Sequence, residues 1–378
     1  MQHLTSIPQE KNTVVIKIGT NLLADKEHGI NSEKIGAIAK SVSYLNSLGK
    51  RVVIVSSGAI GAGVAALKLP ERPKTIPEKQ ATAAIGQPLL MEAYENAFRK
   101  QHIHIAQILL TKDDFVNRVR YVNAKNTFNA LFENAVVPII NENDTVAIEE
   151  IRFGDNDNLA AMVATLIEAD ILIILSDIDG LYSDNPASNP NAELVPIVEK
   201  ITPQIERFAQ KSKSELSSGG MITKIQAAKR CAKAGITMII ANGRNPQVLD
   251  DMFLGEFRGT VFLPSGRKLP MRKQWIGFVS HTAGVVVVDD GAKTALLKKN
   301  KSLLPSGIRE VLGEFYAQEI ISILDGSGNE IGKGITSYSS NELNRIKGRK
   351  SAEIETILKR KSPAEVIHRD NLATMEAD

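Results

Sequence analysis

Val52-Val53-Ile54-Val55-Ser56-Ser57-Gly58-Ala59-Ile60-Gly61-Ala62-Gly63 is the stretch that sets the fold class. A continuous β-branched run reads as a strand buried on both faces, which is the habit of parallel sheets. Small residues follow it at once and lead into a helix. They let the backbone approach a ligand, and the helix offers its positive end to an anion. Glycine-rich strand-to-helix turns also serve packing. The order here is G-x-x-G-x-G, which only loosely resembles the dinucleotide fingerprint.

Five further runs of this kind lie along the chain: Val14–Ile16, Ile105–Leu110, Val136–Ile140, Ile171–Leu175 and Thr237–Ile240. Helix-period segments separate them, at Ser32–Leu48, Ile76–His102, Asn123–Asn134, Asn158–Ala169 and Ile222–Ala234. Strand–helix alternation predicts right-handed crossovers and an α/β fold, a three-layer αβα sandwich around a mainly parallel sheet. Ligands of such sheets bind beyond the carboxyl ends of the strands. Aromatic residues are only 5% against 43% hydrophobic in total, which requires the aliphatic core that this architecture uses.

The pattern changes after Gly266. Residues 267–276 are basic and carry Pro270, and read as a linker to Trp275. Short strands with turn signals follow: Val285–Val288, Ala317–Leu324 and Glu330–Tyr338. Helices are expected at Ala292–Lys299 and Ser340–Ile346. The chain thus divides into a catalytic domain at 1–266, a linker at 267–276, a small mainly-β domain at 277–365 and a tail at 366–378.

Several function classes drop out. A net charge of +3 makes no case by itself for nucleic acid. The single cysteine, Cys231, sits in a helical Ala-rich segment and reads as a buried inert thiol, with no disulfide and no cysteine-based zinc site. Met1–Thr13 has no apolar core, so a secretory signal is not expected. No apolar run approaches the length of a membrane span. The expectation is a cytoplasmic protein. His368-Arg369-Asp370 imitates a protein-kinase catalytic loop, but no Asp-Phe-Gly follows it.

Polar clusters collect at the predicted strand ends. Asn141-Glu142-Asn143-Asp144 follows the fourth run, and Gly154-Asp155-Asn156-Asp157-Asn158 comes shortly after. Short acid and amide side chains hold a small polar ligand with little entropy to lose. Lys17, in a buried strand ahead of Gly19-Thr20, needs a counter-charge, or else points to solvent from an edge strand. Ser217-Ser218-Gly219-Gly220-Met221-Ile222-Thr223-Lys224 opens a helix, with Thr223 and Lys224 where a phosphate would lie, or is simply a capped helix start. Ser176-Asp177-Ile178-Asp179-Gly180-Leu181-Tyr182 follows the fifth run. Its carboxylates suit a ribose or a hydrated metal, and Tyr182 suits a base; turn chemistry alone also explains it. Turns explain the acid–amide clusters singly as well. Taken together, two lysines, glycine-rich helix starts and an acid–amide cage are the equipment of phosphoryl transfer, where alignment and cationic stabilisation do most of the work. A carboxylate acceptor needs no general base, since it is already ionised at neutral pH.

These same motifs resemble the glutamate 5-kinase family of the amino acid kinase superfamily, whose members carry a C-terminal PUA domain. The resemblance covers nearly the whole chain. It departs at Ser218 and Ser176, where the family usually has Thr; both changes keep a hydroxyl. What it implies is ATP-dependent phosphorylation of the γ-carboxylate of L-glutamate, the first step of proline synthesis. By analogy Lys17 and Lys224 stabilise the moving phosphoryl group and Asp157 orients them. Ser57, Gly58, Asn141, Asp144, Asp155 and Asn156 hold glutamate. Lys17, Gly19, Ser176, Asp177, Tyr182, Ser218, Gly219, Gly220, Met221, Ile222, Thr223 and Lys224 hold ATP. Mg²⁺ is expected mainly on the ATP phosphates, with no protein ligands assigned. The resemblance further implies inhibition by proline, a dimer or tetramer, and hand-off of the labile product to glutamyl phosphate reductase, for which no domain is fused here.

Asp144 is a suitable counter-charge for the α-ammonium of a free amino acid. N-acetylglutamate would leave such a carboxylate unpaired. Aspartate differs from glutamate by one methylene, a difference of only ~1–3 kcal/mol. Aspartate, acetylglutamate, carbamate and uridylate phosphorylation are the neighbouring activities. RNA binding by the second domain is the competing class. Residues 277–378 hold 14 Lys+Arg and 14 Asp+Glu, so the domain lacks the basic excess of an RNA footprint despite local clusters at Arg345–Lys350 and Lys359–Lys361. Phe315, Tyr316 and Tyr338 suit stacking or a β core equally.

Overall fold

In the computed structural model, which describes residues 12–25, 29–147, 156–186, 188–211, 220–255, 257–265, 271–278 and 282–374, all six apolar runs are strands. The chain forms two units, Met1–Lys268 and Leu269–Asp378.

The first unit opens with β1 (Thr13–Ile18), α1 (Thr20–Leu23), β2 (Ala24–Asp25), β3 (Gly29–Ile30), α2 (Ser32–Ser47), β4 (Arg51–Ser56), α3 (Ala59–Ala66) and α4 (Ile76–Arg99). It continues with β5 (Ile105–Leu110), α5 (Lys112–Val116), α6 (Arg118–Glu133), β6 (Val137–Glu142), α7 (Asn156–Leu166) and β7 (Ile171–Ser176). Then come β8 (Ile197–Val198), α8 (Pro203–Lys211), α9 (Met221–Ala234), β9 (Thr237–Asn242), α10 (Val248–Leu254) and β10 (Gly259–Phe262). Among the described residues one sheet has the order β5-β6-β4-β1-β7-β9-β10-β8. Neighbours from β5 to β9 run parallel; β10 turns antiparallel to β9, and β8 lies parallel to β10. The order reverses at β1, with β4 on one side and β7 on the other, and a parallel sheet places its ligand at such a point.

Strand parity sorts the layers. Val14, Ile16 and Ile18 pack with Ile35, Ile38 and Val42 of α2 and Leu90, Tyr94 and Phe98 of α4. Successive side chains alternate, so Val15 and Lys17 face the opposite layer, where α7 lies against β1. Both faces of β1, β6 and β7 are therefore covered. Each fully buried Val, Ile or Leu contributes roughly 1.5–3 kcal/mol. Edge strand β5 is only half-buried. Local signals set the helix ends. The Asn31 side chain accepts from Lys34 N and starts α2. The Asn117 side chain accepts from Val119 N and Arg120 N, so α6 begins at Arg118 rather than Asn123.

The second unit comprises α11 (Met271–Phe278), β11 (Gly284–Val288), α12 (Asp290–Lys299), β12 (Ile308–Leu312), β13 (Ile320–Leu324), β14 (Glu330–Ile335), α13 (Ser340–Ile346), α14 (Ile354–Leu358) and β15 (Leu372–Thr374), besides short 3₁₀ turns. Its sheet order is β12-β11-β13-β14-β15, parallel only between β11 and β13. Within the stretch read as a linker, Met271 onward forms helix α11, because Trp275 and Ile276 are buried and α11 packs on β14 and β15. Within the tail, Val366 and Ile367 are in the core, and β15 supplies partners for the edge of β14. Phe315 and Tyr338 are core residues, while Tyr316 is exposed. Among the described residues no helix is long and apolar enough to cross a membrane.

Candidate active site

Register lines the polar residues up. Ile18 of β1 stands beside Ser56 of β4 and Leu175 of β7, and Ser176 stands beside Asn242 of β9. Val55 pairs with Ile140, so Ser56 and Asn141 come next on their strands. Lys17, Ser56, Asn141, Ser176 and Asn242 thus share the carboxyl edge of the sheet, and helices α3, α7 and α9 begin just beyond it.

At the centre of that edge Lys17, Asp157 and Lys224 form a buried trio. Lys17 Nζ lies 2.7 Å from Asp157 Oδ1, and Lys224 Nζ lies 3.0 Å from Oδ2. Strand parity points Lys17 toward α7, whose first turn carries Asp157. Lys224 comes from the first turn of α9, where the backbone dipole is positive. Thr223 Oγ1 also donates within this group, 3.0 Å from Asp157 Oδ2 and 2.7 Å from Gly220 O. Burial pushes the Asp157 carboxyl up, but the two ammonium groups outweigh it and hold its pKa down to about 2. The two ammonium groups, one at a strand end and one at a helix start, can also serve as partners for an arriving anion.

An amide cage adjoins the trio. Asn156 Nδ2 reaches Ser56 O at 2.9 Å, Ser57 Oγ at 3.0 Å and Asn141 Oδ1 at 2.9 Å. Asn141 Oδ1 accepts from Glu142 N at 2.9 Å, and Asn141 Nδ2 donates to Gln87 Oε1 at 2.8 Å. Asn141 is almost completely buried and is bonded to Asn156 on one side and Gln87 on the other. Gly58 caps α3 with φ +108°, a backbone conformation that favours glycine, while a Cβ there would meet Leu23 only at ordinary contact distance. Asp144 lies half-buried in the turn after β6.

A third group lies at β7 and β9. Asp177 accepts from Asn21 Nδ2 at 3.0 Å. Burial raises its pKa, but the bonds from Asn21, its own N–H and Ser176 outweigh that and the net shift is downward. Asp179 accepts from Asn242 Nδ2 at 2.9 Å and from Tyr182 OH at 3.1 Å, and pairs with Arg258 Nε at 3.0 Å. Ser176 is buried with Oγ on Asp177 Oδ1, and the Met221 side chain lies in the core while Ile222 is exposed. The Gly19 N–H donates to Leu175 O, so that donor is already engaged in the fold. Gly220 precedes α9. Asp155, Ser218 and Gly219 lie outside the described residues.

A family model for the amino acid kinase family matches residues 12–242, and one for the PUA domain matches residues 284–358. Glutamate 5-kinase of Geobacter sulfurreducens is 48% identical over 362 residues, covering 96% of this chain and 97% of that protein. Glutamate 5-kinase of Thermoanaerobacter pseudethanolicus is 47% identical over 363 residues, covering 96% and 98%. This chain belongs to the glutamate 5-kinase family. Among solved structures, UMP kinase from Ureaplasma parvum superposes with TM-score 0.48 at 18% identity, over 67% of this chain and 99% of that one.

The structure adds residues to those that marked the glutamate 5-kinase family in the sequence. Asn21, Asn242 and Arg258 join the cluster at β7 and β9, and Gln87 and Tyr94 stand behind the cage. Asn242 had a usable signal, a polar residue directly after an apolar run. Gln87, Tyr94 and Arg258 had none, since their partners are distant in the chain.

Proposed function

We propose that this chain transfers the γ-phosphoryl group of ATP to the γ-carboxylate of L-glutamate, giving L-glutamyl 5-phosphate and ADP, the first step of proline synthesis. The observation that carries the reading is the buried Lys17–Asp157–Lys224 trio, two ammonium groups held on one carboxylate next to an amide cage at one sheet edge. A carboxylate oxygen forms the new bond to phosphorus while the bond from phosphorus to the ADP oxygen breaks. Lys17 and Lys224 approach the transferring group from a strand end and a helix start, with Asp157 fixing the spacing between them. The backbone of α9 adds its positive end. Asn156 and Ser57 align the acceptor, and Asp144 takes its α-ammonium. The donor set fits a triphosphate: two ammonium groups and a glycine-led helix start. Mg²⁺ would ride on the phosphates and neutralise their charge.

Proline inhibition follows if the cage recognises the amino-acid end common to glutamate and proline. An oligomer and hand-off of the labile acyl phosphate to a reductase complete the reading. The second unit, with balanced charge, then serves assembly or regulation rather than RNA. ADP release from Mg-ATP should depend on L-glutamate and fall when proline is added. Release that ignores glutamate contradicts the reading.

A further inference from the structure

Behind the cage, the amide chain ends on Gln87 of α4, a residue so far without a role. We propose that Gln87 is a positioning residue for the acceptor: through Asn141 it holds the Asn156 amide with Nδ2 turned inward and Oδ1 presented to the acceptor's α-ammonium. The proposal rests on the glutamate kinase reading above and deepens it.

Side-chain amide orientations are settled by the network around them. Here two backbone groups settle it, because neither can reverse its role. The Ser56 carbonyl only accepts, so Asn156 must offer it Nδ2. The Glu142 N–H only donates, so Asn141 must offer it Oδ1. That same Oδ1 receives Asn156 Nδ2, which leaves Asn141 Nδ2 pointing the other way. Gln87 Oε1 accepts it at 2.8 Å. Turning Asn141 over would set donor against donor at both Glu142 N and Asn156 Nδ2. Without an acceptor at position 87, the nearly buried Asn141 Nδ2 loses its partner. Asn141 then gains by rotating away, and Asn156 loses the bond that fixes its rotamer.

Helix α4 holds this device firmly. Tyr94 lies two turns after Gln87, on the same helix face, and its OH bonds Ser56 Oγ at 3.0 Å. One helix face therefore braces both ends of the chain, at Asn141 and at the strand residue whose carbonyl reads Asn156. Gly86, beside Gln87, presses on α3 so closely that a Cβ there would run into Ala59 O and Gly63 N.

The test uses the full chain and three variants, Gln87→Met, Gln87→Glu and Gln87→Ala, reading kcat, the KM for glutamate and the KM for ATP. Gln87→Met keeps the length of the side chain and removes the acceptor. It should raise the KM for glutamate about tenfold, the scale of one buried amide bond, with the KM for ATP and kcat within about twofold. Gln87→Glu restores an acceptor and should recover most of that loss. A folded Gln87→Met protein with an unchanged KM for glutamate overturns the proposal. So does an equal effect on ATP and kcat, or a Glu variant as defective as the Met variant. If the Met variant does not fold, Gln87→Ala is read by the same criteria; failure of both to fold makes Gln87 structural and also overturns it. A parent enzyme with no glutamate turnover sinks the kinase reading itself, whereas an active parent with an indifferent Gln87→Met variant sinks only this proposal.

Discussion

Asp157 is fully buried between two lysines, and that single arrangement links folding to chemistry. Removing its charge by Asp157→Asn leaves Lys17 and Lys224 buried side by side. The expected loss is about 3–5 kcal/mol of stability, the usual result of breaking a buried pair from one side, and it should be read by urea denaturation. The sign with pH follows from the depressed carboxyl. Asp157's contribution is complete above its ordinary pKa of 3.8 and disappears as pH falls toward about 2. Acid denaturation of the parent should therefore include a component in that window that Asp157→Asn lacks. Lys17→Ala should lower turnover by about 10²–10³, the scale of one lost electrostatic stabiliser. A folded variant with near-normal turnover would remove Lys17 from the mechanism. The two lysines were legible in the sequence, one at a strand end and one at a helix start. Their shared carboxylate was reached only through family resemblance, because no local pattern says that distant residues meet. Asn141 read as a ligand residue and proves to be almost buried, with Gln87 behind it.

Elements were legible in proportion to their burial. The six runs covered on one or both faces announced themselves as strands. β8 and β10 did not, since two and four residues at the far edge of the sheet carry too short a pattern. Helix α11 was hidden under basic residues and a neighbouring proline; only its packing on β14 and β15 explains it. The contact of α3 with α4 is the element-scale feature that shapes the site. Gly63 faces Thr82 O, and Gly86 faces Ala59 O and Gly63 N, each too close for a Cβ. The helices meet backbone to backbone, which sets where Gly58 and Ser57 stand. Gly86→Ala should force them apart, costing about 1–3 kcal/mol and raising the KM for glutamate. Denaturation and steady-state kinetics on this one variant check both effects. A neutral result would mean that the helices have slack that the packing does not show.

At the scale of the molecule, one unit carries the assembled chemistry and the other a small β core around Val286, Phe315, Ile323 and Tyr338. Two aromatics that suited RNA stacking in the sequence are spent on that core, which weakens the RNA reading without touching the kinase reading. On the proposed reading the site phosphorylates a carboxylate on a free amino acid. The most direct measurement is trapping of the acyl phosphate with hydroxylamine, with Mg-ATP and L-glutamate, L-aspartate or N-acetylglutamate in parallel. L-glutamate should give hydroxamate, N-acetylglutamate, which offers Asp144 no ammonium, should give far less, and aspartate should suffer a smaller handicap. Hydroxamate from N-acetylglutamate in preference to glutamate, or from none of the three with a folded protein, would contradict that reading.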